Sequence, residues 1–470
     1  MANPSYYNQT EAVQRTVNQL IREEYMSEIP ELIFKVGSPT MRLLQPGTEI
    51  ANAENQGINQ RVITARANSG RATRTLLADF QRGRTSSAAS LKLRYNYNDA
   101  SANDFVSIEA ATSIPWHDFT TSGNDIAAQV LDRAQQDVMD SIDYTTNVLM
   151  HSDQTGAIGL INGDIKSEFD DEGTYAGAAA HVAGNTAASF LMDGHTIGIF
   201  REGVHLDIYD STGATLLADE VRIDRVNFEE QSVTVYLSEL STAANFNALA
   251  ANDDNAIIYL AGTKDAGFKC AFAEMFKTTY ASDSWIGGID RAAQGNRHWQ
   301  PIRTRTTGSS MPMQKSYLDD AARAMGFRTA EADMEPPVFL AGSEIVDNFR
   351  SDVGEAALST EDANDRGDYT IGEVALRYQH PVLGAISIMG DYTAKNDRAY
   401  LVFPNDLTMY FANMVGPVVM SEGTAGRGFE RVEGADPNSG GSKFYKLEVM
   451  EQKTPFFKAI NRAVGIFNVT

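Results

Sequence analysis

Residues 61–94 read RVITARANSGRATRTLLADFQRGRTSSAASLKLR. Arg61, Arg66, Arg71, Arg74, Arg82, Arg84, Lys92 and Arg94 stand against a single acid, Asp79, so the stretch is +7. The whole chain is −23, which leaves −30 on the remaining residues. A cationic ribbon is thus built into an anionic body, and charges split this way attract one copy of a molecule to another. The ribbon is poor in large apolar residues and can barely form a core of its own. It reads as an arm made to lie on a neighbour. A solvated basic surface and a nucleic-acid-binding arm are the other readings; basic arms that bind nucleic acid usually sit at a terminus, and this one does not.

Working downstream, Leu91, Leu93, Tyr95 and Tyr97 alternate with Lys92, Arg94, Asn96 and Asn98. The turn NDASAND follows, then Phe105, Ser107 and Glu109, which predicts a hairpin with one covered and one wet face. Residues 124–150 carry the clearest helix signal. Ile126, Val130, Ala134, Val138 and Ile142 form an i, i+4 ladder widened by Leu131, Met139 and Leu149. Asp125, Asp132, Arg133, Asp137, Asp140 and Asp143 fill the expected polar side. Ser122 or Asn124 can cap it, and Asp125 suits the positive helix N-terminus. The rod is about 40 Å long at 1.5 Å per residue.

Upstream, residues 9–27 predict a helix, with Val13, Val17, Leu20 and Ile21 at helical spacing and Thr10 as N-cap. Pro30, Pro39 and Pro46 then predict an extended stretch. Beyond the long helix, residues 165–190 are rich in Gly and Ala and read as a linker. Strands are expected at 196–200, 204–210, 219–227, 232–237 and 255–260, a small antiparallel barrel or sandwich inserted into the chain. Residues 313–411 alternate helix and strand as an α/β or α+β layer. The tail has a Gly-rich turn, PNSGGSK, and strands at 443–451 and 460–469.

Bulk composition limits the function. About 150 residues per domain gives roughly three domains, and the 43% apolar content supports sizeable cores. The acidic balance argues against a nucleic-acid reader, whose basic face would cover a domain; a protein that encloses nucleic acid while repelling it remains open. Cys270 is the only cysteine, so an intrachain disulfide is impossible. No signal peptide or membrane span is expected, and the chain reads as soluble and cytoplasmic when made.

No catalytic constellation emerges. His117, His151, His181, His195, His205, His298 and His380 are scattered and lack the paired spacing of a zinc helix. Cys270 reads as a buried inert thiol. The glycines Gly423, Gly426 and Gly428 miss the dinucleotide spacing, and GTKDAGFK at 262–269 misses the phosphate loop. Asp362, Asn364, Gly367 and Glu373 match positions 1, 3, 6 and 12 of a calcium loop, but Arg366 puts a cation at position 5. A solvated acidic loop is the better reading. No catalytic, cofactor-binding or metal-binding residue is nominated.

The order of parts is more specific than any part alone. An arm, a long basic hairpin, a long helix, a β insertion, a mixed lobe and returning strands together resemble the major capsid protein of tailed bacteriophages, the HK-type capsid fold. Three segments carry the likeness: WIGGIDRAAQGNRHWQPI at 285–302, YLDDAARAMGFRT leading to PPVFLAGSEIVDNFRSD at 317–352, and LGAISIMGDYTAKNDRAYLVFPNDLTMYF at 383–411. The resemblance implies an α+β fold divided into an N-terminal arm (1–59), an extended loop (60–122) and a peripheral domain with a spine helix (123–189). An inserted β-barrel (190–265), an axial domain (266–405) and returning β-strands (406–470) complete it.

It further implies a structural shell protein, not an enzyme, self-assembling into pentamers and hexamers around double-stranded DNA. Arg71, Arg74, Arg82, Arg84, Lys92 and Arg94 of the extended loop would contact a neighbouring subunit. The expected partners are further copies, portal and scaffolding proteins and a decoration protein, with no cofactor, no membrane and no sequence-specific DNA contact. The expected location is the virion, after assembly in the host cytoplasm. Family members can carry a charged coiled-coil segment before the arm; this chain lacks one, which implies a separate scaffold. A bacterial nanocompartment shell shares the fold, but its usual members are shorter and lack the insertion. A multi-domain acidic hydrolase is the alternative of another class, and it would need a pocket of convergent polar groups.

Overall fold

A computed structural model describes residues 39–51, 57–63, 88–94, 103–115, 124–167, 179–182, 185–192, 197–227, 229–237, 248–277, 279–280, 285–286, 289–293, 296, 299–328, 336–353, 358–361, 375–381, 383–412, 418–420, 429–433 and 443–470. The expected helix at 9–27, the calcium-like stretch 362–373 and most of the PNSGGSK turn lie outside them.

In chain order, helix α1 (Pro39–Leu43) leads into strands β1 (Gln45–Ala51), β2 (Gly57–Ile63), β3 (Ala88–Arg94), β4 (Asn103–Asp104) and β5 (Val106–Pro115). Pro39 therefore opens a short helix where an extended stretch was expected; proline suits a first helical position, whose N–H needs no partner. Helix α2 (Asn124–His151) follows. Next come β6 (Gly159–Lys166), β7 (Ala187–Met192), β8 (His205–Tyr209), β9 (Leu216–Asn227), β10 (Ser232–Leu237) and β11 (Ile257–Leu260). Helix α3 (Phe272–Met275), β12 (Trp285–Ile286), β13 (Ile289–Asp290) and β14 (Ile302–Thr304) precede helix α4 (Lys315–Arg328), β15 (Val338–Ala341) and helix α5 (Ser343–Val353). The chain then runs through β16 (Leu358–Glu361), β17 (Ala375–His380), β18 (Gly384–Gly390), β19 (Arg398–Val402) and β20 (Leu407–Ala412). It closes with β21 (Val418–Met420), β22 (Phe429–Glu433), β23 (Lys443–Phe457) and β24 (Val464–Phe467).

The described residues fall into two compact units. One draws on Met1–Ile50, Phe105–Asn147 and Met409–Thr454, the other on Ala51–Asp104, Val148–Thr408 and Pro455–Thr470. In the first unit the 15-residue β23 organises a six-stranded sheet. One edge of β23 pairs with β5 from Phe444↔Pro115 to Lys453↔Val106, while β22 and β21 pair along the other. Helix α2 contributes Val138, Met139 and Ile142 to buried positions here, with Asp137 and Asp140 exposed. Asp143 departs from the expected polar side: it is buried. Its place next to Ile142 puts it at the margin of the apolar stripe, where packing rather than helical period decides exposure.

In the second unit, β6 to β11 close a barrel in the order β10-β7-β6-β11-β8-β9. Closure removes every sheet edge, which an inserted module of short strands otherwise exposes. Ile161, Ile165, Phe190, Leu206, Ile208, Val221, Ile223, Val233, Val235 and Ile258 are buried in it. Two expectations change. Strand β7 begins inside the stretch 165–190 read as a linker, and β6 lies mostly just before that stretch, where no strand was expected; Gly and Ala residues dilute but do not erase the Ile161–Ile165 and Ala187–Met192 staves. Residues 197–199 form a 3-10 turn instead of a strand. The barrel is entered and left through a tight neck. A Cβ on Gly267 would lie 2.0 Å from the Asp153 carbonyl oxygen, and one on Gly156, whose φ is +81°, would lie 2.4 Å from that of Thr263. Only glycine lets the two chains pass this closely.

The same unit holds a seven-stranded sheet in the order β14-β24-β19-β15-β18-β17-β16. Strand β15 runs parallel to β18 and antiparallel to β19. Helix α4 buries Leu318, Ala321, Ala322 and Met325, an i, i+3, i+4, i+7 stripe, in one apolar cluster with Ile345, Val346 and Phe349 of α5 and with Phe339, Tyr378, Ile386 and Leu401 of the sheet. The α4–β15–α5 sequence and the flanking strands match the α+β layer expected for residues 313–411.

Candidate assembly interface

Strand β2 pairs antiparallel with β3, from Gly57↔Arg94 through Asn59↔Lys92 and Arg61↔Ser90 to Ile63↔Ala88. Along these two strands the sequence interleaves Ile58, Val62, Leu91 and Leu93 with Arg61, Lys92 and Arg94. The paired strands thus carry both apolar and cationic residues. Residues 64–87 connect its strands, carrying Arg66, Arg71, Arg74, Arg82 and Arg84 against Asp79.

The expected hairpin between 91–97 and 105–109 is therefore corrected. The arginine-rich run is the connection of the hairpin, and its two strands lie at either end. Strand β5 is taken up by β23, a partner long enough to pair with it over ten residues. Strand β4 instead runs parallel beside β3, with Leu93↔Asn103 and Arg94↔Asp104. The signal that could have found the true partner is GINQRVI, where Ile58 and Val62 alternate with polar residues in the manner of Leu91 and Leu93. Of the loop residues expected to meet a neighbour, Lys92 and Arg94 lie on β3, while Arg71, Arg74, Arg82 and Arg84 lie outside the described residues.

Several buried charges were not foreseen. Arg291, in the turn of the WIGGIDR segment, is 0% exposed. Its guanidinium donates to the Met275 carbonyl oxygen at 2.9 Å and to the Glu274 carbonyl oxygen at 3.3 Å, and pairs with Glu274 Oε1 at 3.4 Å. It thereby satisfies the last carbonyls of α3, as a cation at a helix C-terminus does. The Tyr280 ring lies 4.4 Å from Arg291 on one contact and 5.0 Å from Arg303 on another. Lys277 completes the set by pairing with Glu274. Burial lowers the Arg291 pKa, opposed by Tyr280 and Glu274, and raises that of Tyr280.

Other charges clamp loops. Asp391 accepts from the Thr393 N–H at 2.9 Å and hydroxyl at 2.7 Å, with His151 Nε2 3.6 Å away. His151 also stacks on Phe272 at 5.4 Å. Arg462 holds Asp406 through Nε at 3.1 Å and through a second contact from its other nitrogen. Burial raises the Asp406 pKa, with Arg462 opposing. Cys270 is fully buried. Among the described residues there is no group of three His, Cys, Asp or Glu placed to hold a metal, and no helix long and apolar enough to cross a membrane.

No protein-family model and no curated protein sequence matches the chain. Solved structures do. The chain is similar to a chain of the cyanophage A-1(L) capsid asymmetric unit at 11% identity and a TM-score of 0.45, covering 93% of each. It is similar to a chain from Mycobacterium phage Patience at 8% identity and a TM-score of 0.37, covering 100% of this chain and 89% of that one. Likeness to the holo-SrpI encapsulin complex of Synechococcus elongatus PCC 7942 extends to 36% of this chain and 53% of that one, at 13% identity and a TM-score of 0.22.

Proposed function

We propose that this chain is the major shell subunit of an icosahedral phage head, a structural protein of the HK-type capsid fold that assembles with copies of itself. The observation that carries this reading is the β2–β3 ribbon. The β2–β3 ladder is extended only by the two-residue β4, and a sheet this narrow is at best marginally stable in water without a further surface to lie on. This one carries apolar residues in its strands and a cationic run in a chain of net −23. A second copy offers both apolar surface and carboxylates. One exposed ion pair contributes about 0–1 kcal/mol, but several per subunit, repeated around a closed symmetric shell, sum to a large assembly energy.

In this reading residues 60–122 form the extended loop, with Arg71, Arg74, Arg82, Arg84, Lys92 and Arg94 meeting carboxylates of a neighbour. Helix α2 is the spine helix, the barrel is an insertion, and the α4–β15–α5 layer belongs to the axial domain at the capsomer centre. Pentamers and hexamers enclose double-stranded DNA without reading its sequence. Portal, scaffolding and decoration proteins are the further partners, and the product is a virion assembled in the host cytoplasm.

Electron microscopy of the purified protein tests the reading: uniform closed shells are expected, and a monodisperse monomer with a deep cleft would sink it in favour of an enzyme. A salt series separates charge pairing from apolar contact. The screening length falls from about 10 Å at 0.1 M salt to about 3 Å at 1 M. Shell yield is expected to fall across that range, and a flat yield would assign assembly to apolar contacts alone.

A further inference from the structure

Helix α2 and strand β23 bury three ionisable side chains in the first unit. Asp143 is 7% exposed, and Glu451 and Lys453 are 1% exposed each. Glu451 and Lys453 lie two residues apart on one face of β23, and Lys453 Nζ pairs with Glu451 Oε2. That pair is electrically balanced, so Asp143 is the surplus charge. Its Oδ1 is buried with no hydrogen-bond partner, as is Oε1 of Glu451. A carboxylate in such a place lacks the donors that would replace water, whereas a carboxyl group that keeps its proton carries no charge to solvate.

The groups acting on Asp143 are Lys453 and Glu451 from the strand and Asp140 from its own helix. Burial is the largest influence and opposes ionisation, Lys453 favours it, and Glu451 and Asp140 oppose it. Together they push the Asp143 pKa from 3.8 to about 7.

We propose that Asp143 is a proton-operated latch between the long helix and its sheet. Protonated, it leaves one negative and one positive charge in the site, and the helix is held down. Ionised, it leaves two carboxylates facing one ammonium in a dry site, and the helix loosens. The pKa is raised in the folded unit, so the stabilisation is complete below the ordinary carboxyl range. It is lost as pH rises through the folded value. The latch therefore closes in mild acid and opens toward neutral and alkaline pH.

Hydrogen exchange of the full-length protein, corrected for intrinsic base catalysis, reads this directly at the amides of 138–147 and 449–454. Wild-type protection is expected to fall roughly ten-fold per pH unit between about pH 5 and about pH 7, then level off. Asp143→Asn, neutral throughout, is expected to stay protected with no such slope. Constant wild-type protection, or an Asn variant that falls in step with wild type, overturns the latch. Should the variant not fold, difference infrared spectroscopy of the wild type decides. A buried protonated carboxyl band that disappears as pH rises through about 7 supports the latch, and no such band overturns it.

Discussion

Arg82→Glu/Arg84→Glu subunits are expected to fold normally and to give few or no shells. Each reversal removes an attraction and adds a repulsion of similar size. With exposed pairs at about 0.5–1 kcal/mol, two reversals change one inter-subunit contact by roughly 2–4 kcal/mol. Every 1.4 kcal/mol is about ten-fold in an association constant, so each contact weakens by roughly 30-fold or more. In the proposed shell every subunit would both give and receive an arm, and the penalties would compound. Circular dichroism should match wild type, because the run holding Arg82 and Arg84 is poor in large apolar residues. Sedimentation and electron microscopy then count particles. Normal shells in high yield would mean that these arginines are solvated surface. Like-for-like Arg→Lys changes, which keep the charge, should assemble, and this separates electrostatics from a general intolerance of substitution.

The largest stability loss is expected at Arg291. Truncating one partner of a buried, hydrogen-bonded charge pair costs about 3–5 kcal/mol, because the other polar groups are left without a partner. Arg291→Ala removes the guanidinium from the α3 carbonyl oxygens of Glu274 and Met275, leaving Met275 only the Tyr280 hydroxyl, and takes one of two cations from the Tyr280 ring. Arg291→Lys should recover only part of the loss, since an ammonium lacks the planar fork that reaches two carbonyls and a carboxylate together. The measurement is the denaturant midpoint and the soluble yield at growth temperature. Arg323→Ala is the control. It breaks the exposed pair with Asp320, both side chains more than 60% exposed, and should change stability by no more than about 0.5 kcal/mol. Equal effects at the two sites would show that the buried network holds nothing in place.

These two sites differ in how visible they were beforehand. The arginine run is obvious in the sequence because charge composition is local. So are α2, α4 and α5, whose apolar positions recur at helical spacing within a single segment, and β15, β18 and β19, which are short apolar runs between turns. Arg291 looked like one member of a Gly-Asp-Arg turn. Its burial depends on Glu274 and Tyr280, which no spacing rule connects to it. Strand pairing was equally hidden. Leu91 and Leu93 announce a strand, but whether the partner lies upstream across 64–87 or downstream at 105–109 depends on which alternative partner β5 finds, and that partner is β23, more than three hundred residues away: Gln452 Nε2 donates to Ser107 Oγ at 2.9 Å, a sequence separation of 345. Asp143 was assigned by helical period to the wet side, and packing decided otherwise. The barrel was legible where β-branched residues alternate, as at Val221–Val226 and Val233–Val235, and invisible where Gly and Ala thin the signal in β6 and β7.

The neck of the barrel makes the insertion interchangeable. Its first and last strands are neighbours, with Ile258 opposite Gly159, and cross-strand Cα atoms lie only about 4.5–5.5 Å apart. The polypeptide thus leaves the rest of the subunit and re-enters it at nearly one point. A short bridge could close that gap after excision, and any foreign module whose own termini lie close together could be spliced into the same port. The barrel is, in engineering terms, a plug-in cartridge, and the socket is the pair of closely passing segments that carry Gly156 and Gly267.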